Sequence, residues 1–165
     1  MEKVVLPQCE FLLERLNLAR RRLDALLADS PTDKFIYPNW TIKEYMDHLS
    51  GWDDAVVSTL QAHALGEPVP MIAVQGINFY NSETITTRKT LDLAHSKVEY
   101  QASRKAALQA LRELPDEKFN QPLTFPWGEN GTVAYFIEIF VEHDEHHTDH
   151  LSKWLEHPDR ALTDS

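Results

Sequence analysis

Residues 141–150 read Val141-Glu142-His143-Asp144-Glu145-His146-His147-Thr148-Asp149-His150, and they contain four of the chain's eight histidines together with four carboxylates. Residues four apart lie on the same face of a helix, so this stretch presents two pairs of imidazoles. One pair is His143 and His147, and the other is His146 and His150. Because two imidazoles with this spacing can bind one metal ion, the stretch is the strongest chemical signal in the sequence.

The apolar residues around the histidines indicate which pair faces the core. One helical stripe, followed in steps of three or four residues, contains Phe136, Phe140, His143 or Asp144, His147, Leu151 and Trp154. The row through His146 and His150 has charged residues at its ends, which is typical of a flank that faces solvent. We therefore predict that His143 and His147 point inward, and the pair His146 and His150 stays open as the alternative.

Length and composition indicate one globular domain. The 165 residues are enough for a hydrophobic core and no linker rich in Pro, Gly or Ser divides them, so we expect a single domain over residues 1–165. The chain is 42% apolar and 25% charged, and its apolar runs are too short for a membrane span. Because residues 1–7 lack the apolar core of a signal peptide, we expect a cytoplasmic protein with no membrane partner.

The charge and the single cysteine exclude further classes. A formal charge of -10 repels phosphate backbones, so we expect no nucleic-acid partner. Cys9 is the only cysteine and lies among leucines at helical spacing, which predicts a buried structural thiol. The basic run Arg20–Arg22 has Glu14 and Asp24 beside it, which is typical of a solvated helix face.

Hydrophobic periodicity predicts four helices and no convincing strand. The helices cover Leu6–Ala28, Thr41 to the residue before Gly66, Thr90–Leu114, and Thr132 to about Glu156. Thr41 and Glu44 form a capping box that defines the start of the second helix. The stretch 71–90 predicts an irregular connection or a short helix near 77–80, and 119–131 predicts a loop.

Each helix has an apolar stripe that should face the core. The predicted stripe of the second helix contains Ile42, Tyr45, Met46, Leu49, Trp52, Val56, Val57 and Leu60. For the third helix the predicted stripe contains Leu91, Ala94, Val98, Ala102, Ala106, Leu108 and Leu111. We therefore predict an all-α fold, a four-helix bundle with antiparallel neighbours.

A metal site needs a third ligand from a facing helix, because a catalytic ion usually takes three ligands from the protein. His48 is the best candidate, since it lies at the edge of the stripe on the second helix. His63 and His95 lie farther from any apolar face that continues to the site. Three imidazoles that converge in an apolar bundle favour a bound ion, while any one of them alone is better explained as an ordinary polar residue.

Two sequence motifs resemble those of a known family, the DinB-like superfamily of metal-binding four-helix bundles, also called YfiT-like or damage-inducible proteins. The motifs are Asn39-Trp40-Thr41-Ile42-Lys43-Glu44-Tyr45-Met46-Asp47-His48-Leu49-Ser50-Gly51-Trp52 and Glu142-His143-Asp144-Glu145-His146-His147. The resemblance covers essentially the whole domain. It implies that His48, His143 and His147 bind a divalent ion, zinc or nickel, and that a homodimer is possible, since members often dimerise. Members include thiol S-transferases that use bacillithiol or mycothiol, isomerases that depend on the same thiols, and many proteins without an assigned reaction.

Three functions stay open at this point. An ion with three imidazole ligands keeps an open position, where it acidifies a substrate thiol or a water. The chain is then a thiol transferase with a low-molecular-weight thiol as cofactor, a hydrolase, or a non-catalytic bundle that binds a small molecule. Asp144 and Glu145 are candidate bases or imidazole partners, and each is better explained as a solvated or orienting carboxylate. The candidate pocket residues are Tyr45, Trp52, Phe125 and Trp127.

Overall fold

The computed structural model describes residues 4–163 and contains five α-helices. They are α1 (Pro7–Ala28), α2 (Ile42–Leu65), α3 (Ile77–Thr86), α4 (Leu93–Glu113) and α5 (Val133–Glu156). Residues 1–3, which begin the segment considered as a leader, and residues 164–165 lie outside the described part. The prediction of a single domain over 1–165 stays a prediction.

The all-α prediction is confirmed, and local chemistry explains the helix ends. Pro7 lies in the first turn of α1, where its missing N–H costs nothing. The capping box of α2 is present, with the Glu44 carboxylate accepting a hydrogen bond from the Thr41 amide at 2.9 Å. Gly66 ends α2 with a left-handed φ of 70°.

Two connections contain more structure than the sequence pattern indicated. The stretch that suggested only a short helix forms α3, whose ten residues pack against α2. The stretch 119–131, predicted as a loop, contains the end of a 3-10 turn (Asp116–Asn120) and a two-stranded hairpin, β1 (Leu123–Thr124) and β2 (Asn130–Gly131). Elements this short give no periodic signal, so hydrophobic patterning does not detect them.

Side-chain contacts fix the directions of the helices. Arg15 bonds Glu138 and Arg20 bonds Asp144, so α1 and α5 run parallel. Asp47 and Asp53 of α2 bond Ser96 and Arg104 of α4, so that pair is also parallel. Contacts in the reverse order make α1 antiparallel to α4, through Cys9 with Leu111 and Asp24 with Tyr100, and α2 antiparallel to α5. Helices α2 and α4 can run parallel because the connection between them, which contains α3, is long enough to return along the bundle.

The core consists of two apolar clusters with a layer of charged residues between them. One cluster contains residues such as Leu16, Val56, Leu111 and Phe136, and the other contains residues such as Leu23, Leu49, Tyr100 and Leu151. Where each main helix passes from one cluster to the other it contributes one buried charged residue. These four residues, called here the ionic layer, are Arg20, Asp53, Arg104 and Asp144.

The ionic layer corrects two predictions. Arg20 is predicted on a solvated face, but it is only 3% exposed, while Arg21 and Arg22 are exposed as predicted. The predicted stripe of α4 is also largely wrong, because Val98 is 66% exposed and Ala94, Ala102 and Ala106 face solvent, although Leu111 is buried as predicted. The residues that α4 buries are Ser96, Tyr100, Ser103, Arg104, Ala107, Ala110 and Leu111. Hydrophobicity misplaces this helix because its inward polar groups bond buried carboxylates of α2.

Other predictions about the core are confirmed. Cys9 is 2% exposed and its thiol donates a 3.5 Å hydrogen bond to the Leu111 carbonyl. The stripe of α2 is buried or half-buried at every predicted position. Within residues 4–163, no helix is long and apolar enough to cross a membrane.

Candidate metal centre

Three imidazoles meet where α2 faces α5. The Nε2 atom of His48 lies 3.2 Å from that of His143 and 3.1 Å from that of His147. The Nε2 atoms of His143 and His147 are 3.0 Å apart, as the four-residue spacing on α5 predicts. His48 and His147 are buried and His143 is half-buried. In the described part of the chain, these histidines form the one close group of three or more His, Cys, Asp or Glu ligand atoms.

The donor set fits a divalent cation. A ring nitrogen points its proton or lone pair along the ring plane, so three Nε2 atoms aimed at one point cannot all bond each other linearly. A central ion would accept all three lone pairs. Imidazole nitrogens at about 2.0–2.1 Å from a tetrahedral ion lie roughly 3.3 Å apart, close to the three distances found here. The residues present therefore fit a divalent metal ion.

Burial keeps the three imidazoles in the form that binds metal. Desolvation lowers the pKa of His48, His143 and His147 well below the ordinary value, because a buried imidazolium loses its hydration. The neighbouring imidazoles lower each pKa further, and for His48 the side chain of Asn81 acts in the opposite direction. Neutral imidazoles are the ligand form, so the environment favours an ion over protons.

Aromatic packing orients the rings. The Nδ1 atoms of His48 and His147 are buried and have no hydrogen-bond partner within residues 4–163. The ring of His147 lies 4.9 Å from the ring of Tyr45, whose hydroxyl donates to the His147 carbonyl at 3.0 Å. The ring of Trp40 lies 5.1 Å from that of His48. Aromatic rings thus pack against both imidazoles, and within the described residues the usual acceptor on the second ring nitrogen of a metal-bound histidine is missing.

Asp144 does not have the role expected of it, whereas Glu145 is solvated as expected. Asp144 is fully buried, and both of its oxygens bond Arg20 at 3.1 Å, so it is neither solvated nor an imidazole partner. Glu145 is exposed. Helical spacing left His143 and Asp144 as alternatives for the inward stripe of α5. Both point inward, and His143 belongs to the histidine cluster while Asp144 belongs to the ionic layer.

The ionic layer lies directly behind the site and joins all four main helices. Arg20 also bonds Asp53 at 3.0 Å, and Arg104 bonds Asp53 at 2.8 Å and Asp144 at 3.1 Å. Two guanidinium groups and two carboxylates therefore compensate one another. The coulombic effect of the nearby carboxylates raises the pKa of Arg20 well above its ordinary value, although burial opposes it. Nothing in the sequence pattern pointed to this layer, because its members are scattered through four segments.

The remaining histidines do not join the cluster. His150, half of the alternative ligand pair, pairs through Nδ1 with the Tyr37 hydroxyl at 2.9 Å, and His146 is exposed. His63 bonds the Lys118 carbonyl at 2.8 Å, and His95 bonds Asp92. The structure thus brings together the three histidines selected from the sequence and leaves the others apart.

A cavity of about 490 Å³ opens beside the histidines. Trp52 and Trp127 line it as expected, whereas Tyr45 and Phe125 do not. The full lining is His48, Trp52, Ala73, Val74, Gly76, Ile77, Asn81, Trp127, Glu129, Ile139, Phe140 and His143. Helix α3 forms one wall of the cavity, and two hydrogen bonds hold it against α2. The Trp52 indole N–H donates to the Asn81 side-chain oxygen at 2.8 Å, and the Tyr80 hydroxyl donates to the Gly51 carbonyl at 2.6 Å.

The fold and the buried histidine cluster together define a class of helical-bundle proteins. The family model of the DinB superfamily matches residues 15–151, and the chain belongs to that superfamily. No protein with a curated description matches the sequence.

Solved structures share the fold at low sequence identity. A mycothiol-dependent maleylpyruvate isomerase superposes with a TM-score of 0.74 at 17% identity, covering 88% of this chain and 61% of its own. A histidine-to-alanine mutant of such an isomerase gives 0.74 at 16% identity, covering 96% of this chain and 62% of its own. An uncharacterised protein from Clostridium difficile 630 gives 0.73 at 16% identity, covering 93% and 99%. This chain therefore spans about three fifths of the isomerase's length.

Proposed function

We propose that the protein is a metal-dependent enzyme of the thiol-transferase type, in which His48, His143 and His147 hold zinc or nickel. The observation that carries the proposal is that His48 and His143 belong to both the three-nitrogen cluster and the lining of the cavity. An ion at the cluster would therefore face a space that can hold a small-molecule substrate. A structural ion, in contrast, is usually closed off by four protein ligands.

The chemistry at the site divides between the ion and the chain. A divalent ion with an open position supplies Lewis acidity, which lowers the pKa of a coordinated thiol. Trp52 and Trp127 provide apolar walls that exclude water from the reacting atoms. The Asn81 side-chain oxygen is occupied by Trp52, which leaves its NH₂ group to donate a hydrogen bond within the cavity. That donor is suited to negative charge that develops on a substrate oxygen.

Two observations favour thiol chemistry over hydrolysis. Hydrolysis needs a general base near the water, but Asp144 is committed to the ionic layer and Glu145 is exposed. Glu129 is the carboxylate in the cavity lining, and it already accepts a hydrogen bond from the Trp127 indole. The structurally similar isomerase is described as mycothiol-dependent, and we extend that thiol dependence to this chain as part of the proposal. Bacillithiol and mycothiol are the first cofactors to try. The competing proposals are a metal-dependent hydrolase and a non-catalytic bundle with a structural or vestigial ion.

Metal analysis tests the site. We expect close to one zinc or nickel per chain in protein purified without a histidine tag, and a large loss in His48→Ala and His147→Ala. His146→Ala is the matched control, because it removes an exposed imidazole from the same helix and should leave the metal content unchanged. Equal metal content in all four proteins would refute the three-histidine site.

Activity assays divide the three functions. The metal-loaded protein is incubated with bacillithiol, mycothiol or cysteine and the electrophile 1-chloro-2,4-dinitrobenzene, and separately with 4-nitrophenyl acetate without thiol. We expect thiol-dependent turnover that disappears in His48→Ala and persists in His146→Ala. Turnover of the ester alone would favour the hydrolase, and no turnover with any pair would favour the binding protein.

We further propose a cytoplasmic homodimer whose partner is a small molecule. The single buried cysteine is consistent with a reducing compartment. Sedimentation equilibrium at several concentrations tests the dimer, and a monomer mass throughout the micromolar range would contradict it.

A further inference from the structure

We infer that the cavity accepts substrates whose main body is apolar and free of negative charge, and that Glu129 at the cavity mouth is the residue that sets this selectivity. The inference rests on the proposed function in one respect, which is that the molecule bound in the cavity is a substrate. It adds a chemical class to that function, because the metal cluster by itself says nothing about the substrate body.

The composition of the cavity wall disfavours anions. Its polar members are His48, His143, Asn81 and Glu129, and no lysine or arginine is among the lining residues of the described chain. A carboxylate or phosphate that leaves water must find a cationic partner or several donors, and otherwise the loss of hydration opposes binding. This wall offers an anion one amide and no cation. It suits an aromatic or aliphatic group instead.

The two arginines nearest the site do not change this balance. Arg20 and Arg104 are buried behind the histidines, and neither lines the cavity. Both are already paired with Asp53 and Asp144 at 2.8–3.1 Å. Since each guanidinium already bonds both carboxylates, neither is available to bond an anion in the cavity.

Glu129 adds a fixed negative charge to the same wall. Its carboxylate accepts a hydrogen bond from the Trp127 indole N–H at 2.8 Å, and its backbone carbonyl accepts one from the Phe125 amide at 2.7 Å. The hairpin thus holds a negative charge at the edge of an apolar cavity in a chain of formal charge -10. An approaching anion is repelled, whereas a cation is attracted by Glu129 and by the faces of Trp52 and Trp127.

A bound divalent ion attracts one coordinating anionic atom, such as a thiolate sulfur. This attraction acts only at the histidine cluster, and the rest of the cavity wall has no cationic side chain. The selectivity therefore concerns the body of the substrate, away from the coordinating atom.

Three benzyl compounds of similar shape test the inference. They are benzyl methyl sulfone, which is neutral, phenylmethanesulfonate, which is an anion that coordinates metals weakly, and benzyltrimethylammonium, which cannot coordinate. Their dissociation constants are measured at pH 8 from quenching of tryptophan fluorescence, with the full-length protein in zinc-loaded and EDTA-treated forms. Comparing variants within one metal state removes the charge of the ion from the comparison.

The variants are Glu129→Gln, Glu129→Lys and the control Glu10→Lys, which makes the same charge change on an exposed α1 residue that does not line the cavity. In wild type we expect the sulfone and the ammonium compound to bind more tightly than the sulfonate. Glu129→Lys should shift the sulfone-to-sulfonate affinity ratio about fivefold toward the sulfonate, Glu129→Gln should shift it less, and Glu10→Lys should leave it unchanged.

Two outcomes would overturn the inference: a sulfonate that binds as tightly as the sulfone in EDTA-treated wild type, or a ratio that Glu129→Lys and Glu10→Lys change equally. Both are independent of metal content and turnover, so they can be told apart from a failure of the proposed function. Unchanged affinity for the neutral sulfone in Glu129→Lys serves as the check that the cavity is still folded.

Discussion

Arg20 and Arg21 are neighbours in the sequence and occupy opposite environments in the fold. Arg20 bonds Asp53 and Asp144 in the ionic layer, and Arg21 faces solvent. We expect Arg20→Met to lower the free energy of unfolding by about 3–5 kcal/mol, because it leaves two buried carboxylates with only Arg104. Urea denaturation followed by circular dichroism measures the change.

Arg21→Met is the matched control, since it removes an identical charge one position away and should alter the urea midpoint little. If both variants unfold at the wild-type urea concentration, the ionic layer does not stabilise the bundle.

The buried histidines predict a pH dependence for protein without a bound ion. Their pKa values are lowered by burial, so below about pH 6.5 the unfolded chain binds protons that the folded chain does not. Stability therefore falls as the pH decreases, by up to about 1.4 kcal/mol per pH unit for each histidine. Urea midpoints in EDTA at pH 8, 7, 6 and 5 test this.

The dependence should be weaker in His48→Phe, which removes one of the three groups. A midpoint that is constant or rises between pH 7 and pH 5 would show that the imidazoles are not held neutral by burial.

Residue by residue, the sequence predicted the histidines of the site better than the buried charged residues next to them. His143 and His147 were separated from His146 and His150 by helical phase alone, because both flanks of α5 have clear polarity. Arg20 and Asp144 were misjudged because a charged residue is buried only when a partner from a distant segment compensates it. Those partners, Asp53 and Arg104, lie on helices that sequence spacing cannot align with α1.

The contact between α2 and α3 depends on the absence of a side chain at position 51. A Cβ atom on Gly51 would lie 2.5 Å from the Cβ atom of Thr84, so the two helices could not keep their distance. We expect Gly51→Ala to lower the free energy of unfolding by about 1–3 kcal/mol, although alanine is the better helix former. Thermal and urea denaturation measure the loss.

A double-mutant cycle isolates this contact. Thr84→Gly removes the side chain that the added methyl group at position 51 would strike, so the double variant should be more stable than the sum of the two single changes predicts. Simple additivity would mean that the helices have room to move apart.

The elements of the fold could be predicted in proportion to their length. The four long helices have strong periodicity, and their bounds agree closely with the sequence patterns. Helix α3 and the hairpin are too short for this, yet they supply Asn81, Trp127 and Glu129 to the cavity. For α4 the helical period was predicted correctly, but the face that packs on the core was not. Alanine and valine lie on the outer face at core-like spacing, while serine and arginine face inward.

Metal binding should stabilise the whole bundle, because its ligands come from two helices that meet only in the folded state. An ion present at 100 times its dissociation constant adds about 2.7 kcal/mol, which for a chain of this size raises Tm by roughly 5–10 °C. Differential scanning fluorimetry with zinc and with EDTA measures the difference.

His147→Ala should abolish most of the zinc-induced rise in Tm, and His146→Ala should retain it. An equal rise in both variants would indicate that zinc binds elsewhere on the acidic surface.

The parallel pairing of α1 with α5 has a consequence for the order of events during synthesis. Arg15 meets Glu138 at a separation of 123 residues, and His48 meets His143 at a separation of 95. While the ribosome still encloses α5, only one of the three imidazoles has emerged, and both core clusters lack the residues that α5 contributes. Contacts this distant form late in folding. Capture of the ion is therefore expected only once α5 has left the ribosome and packed against α2.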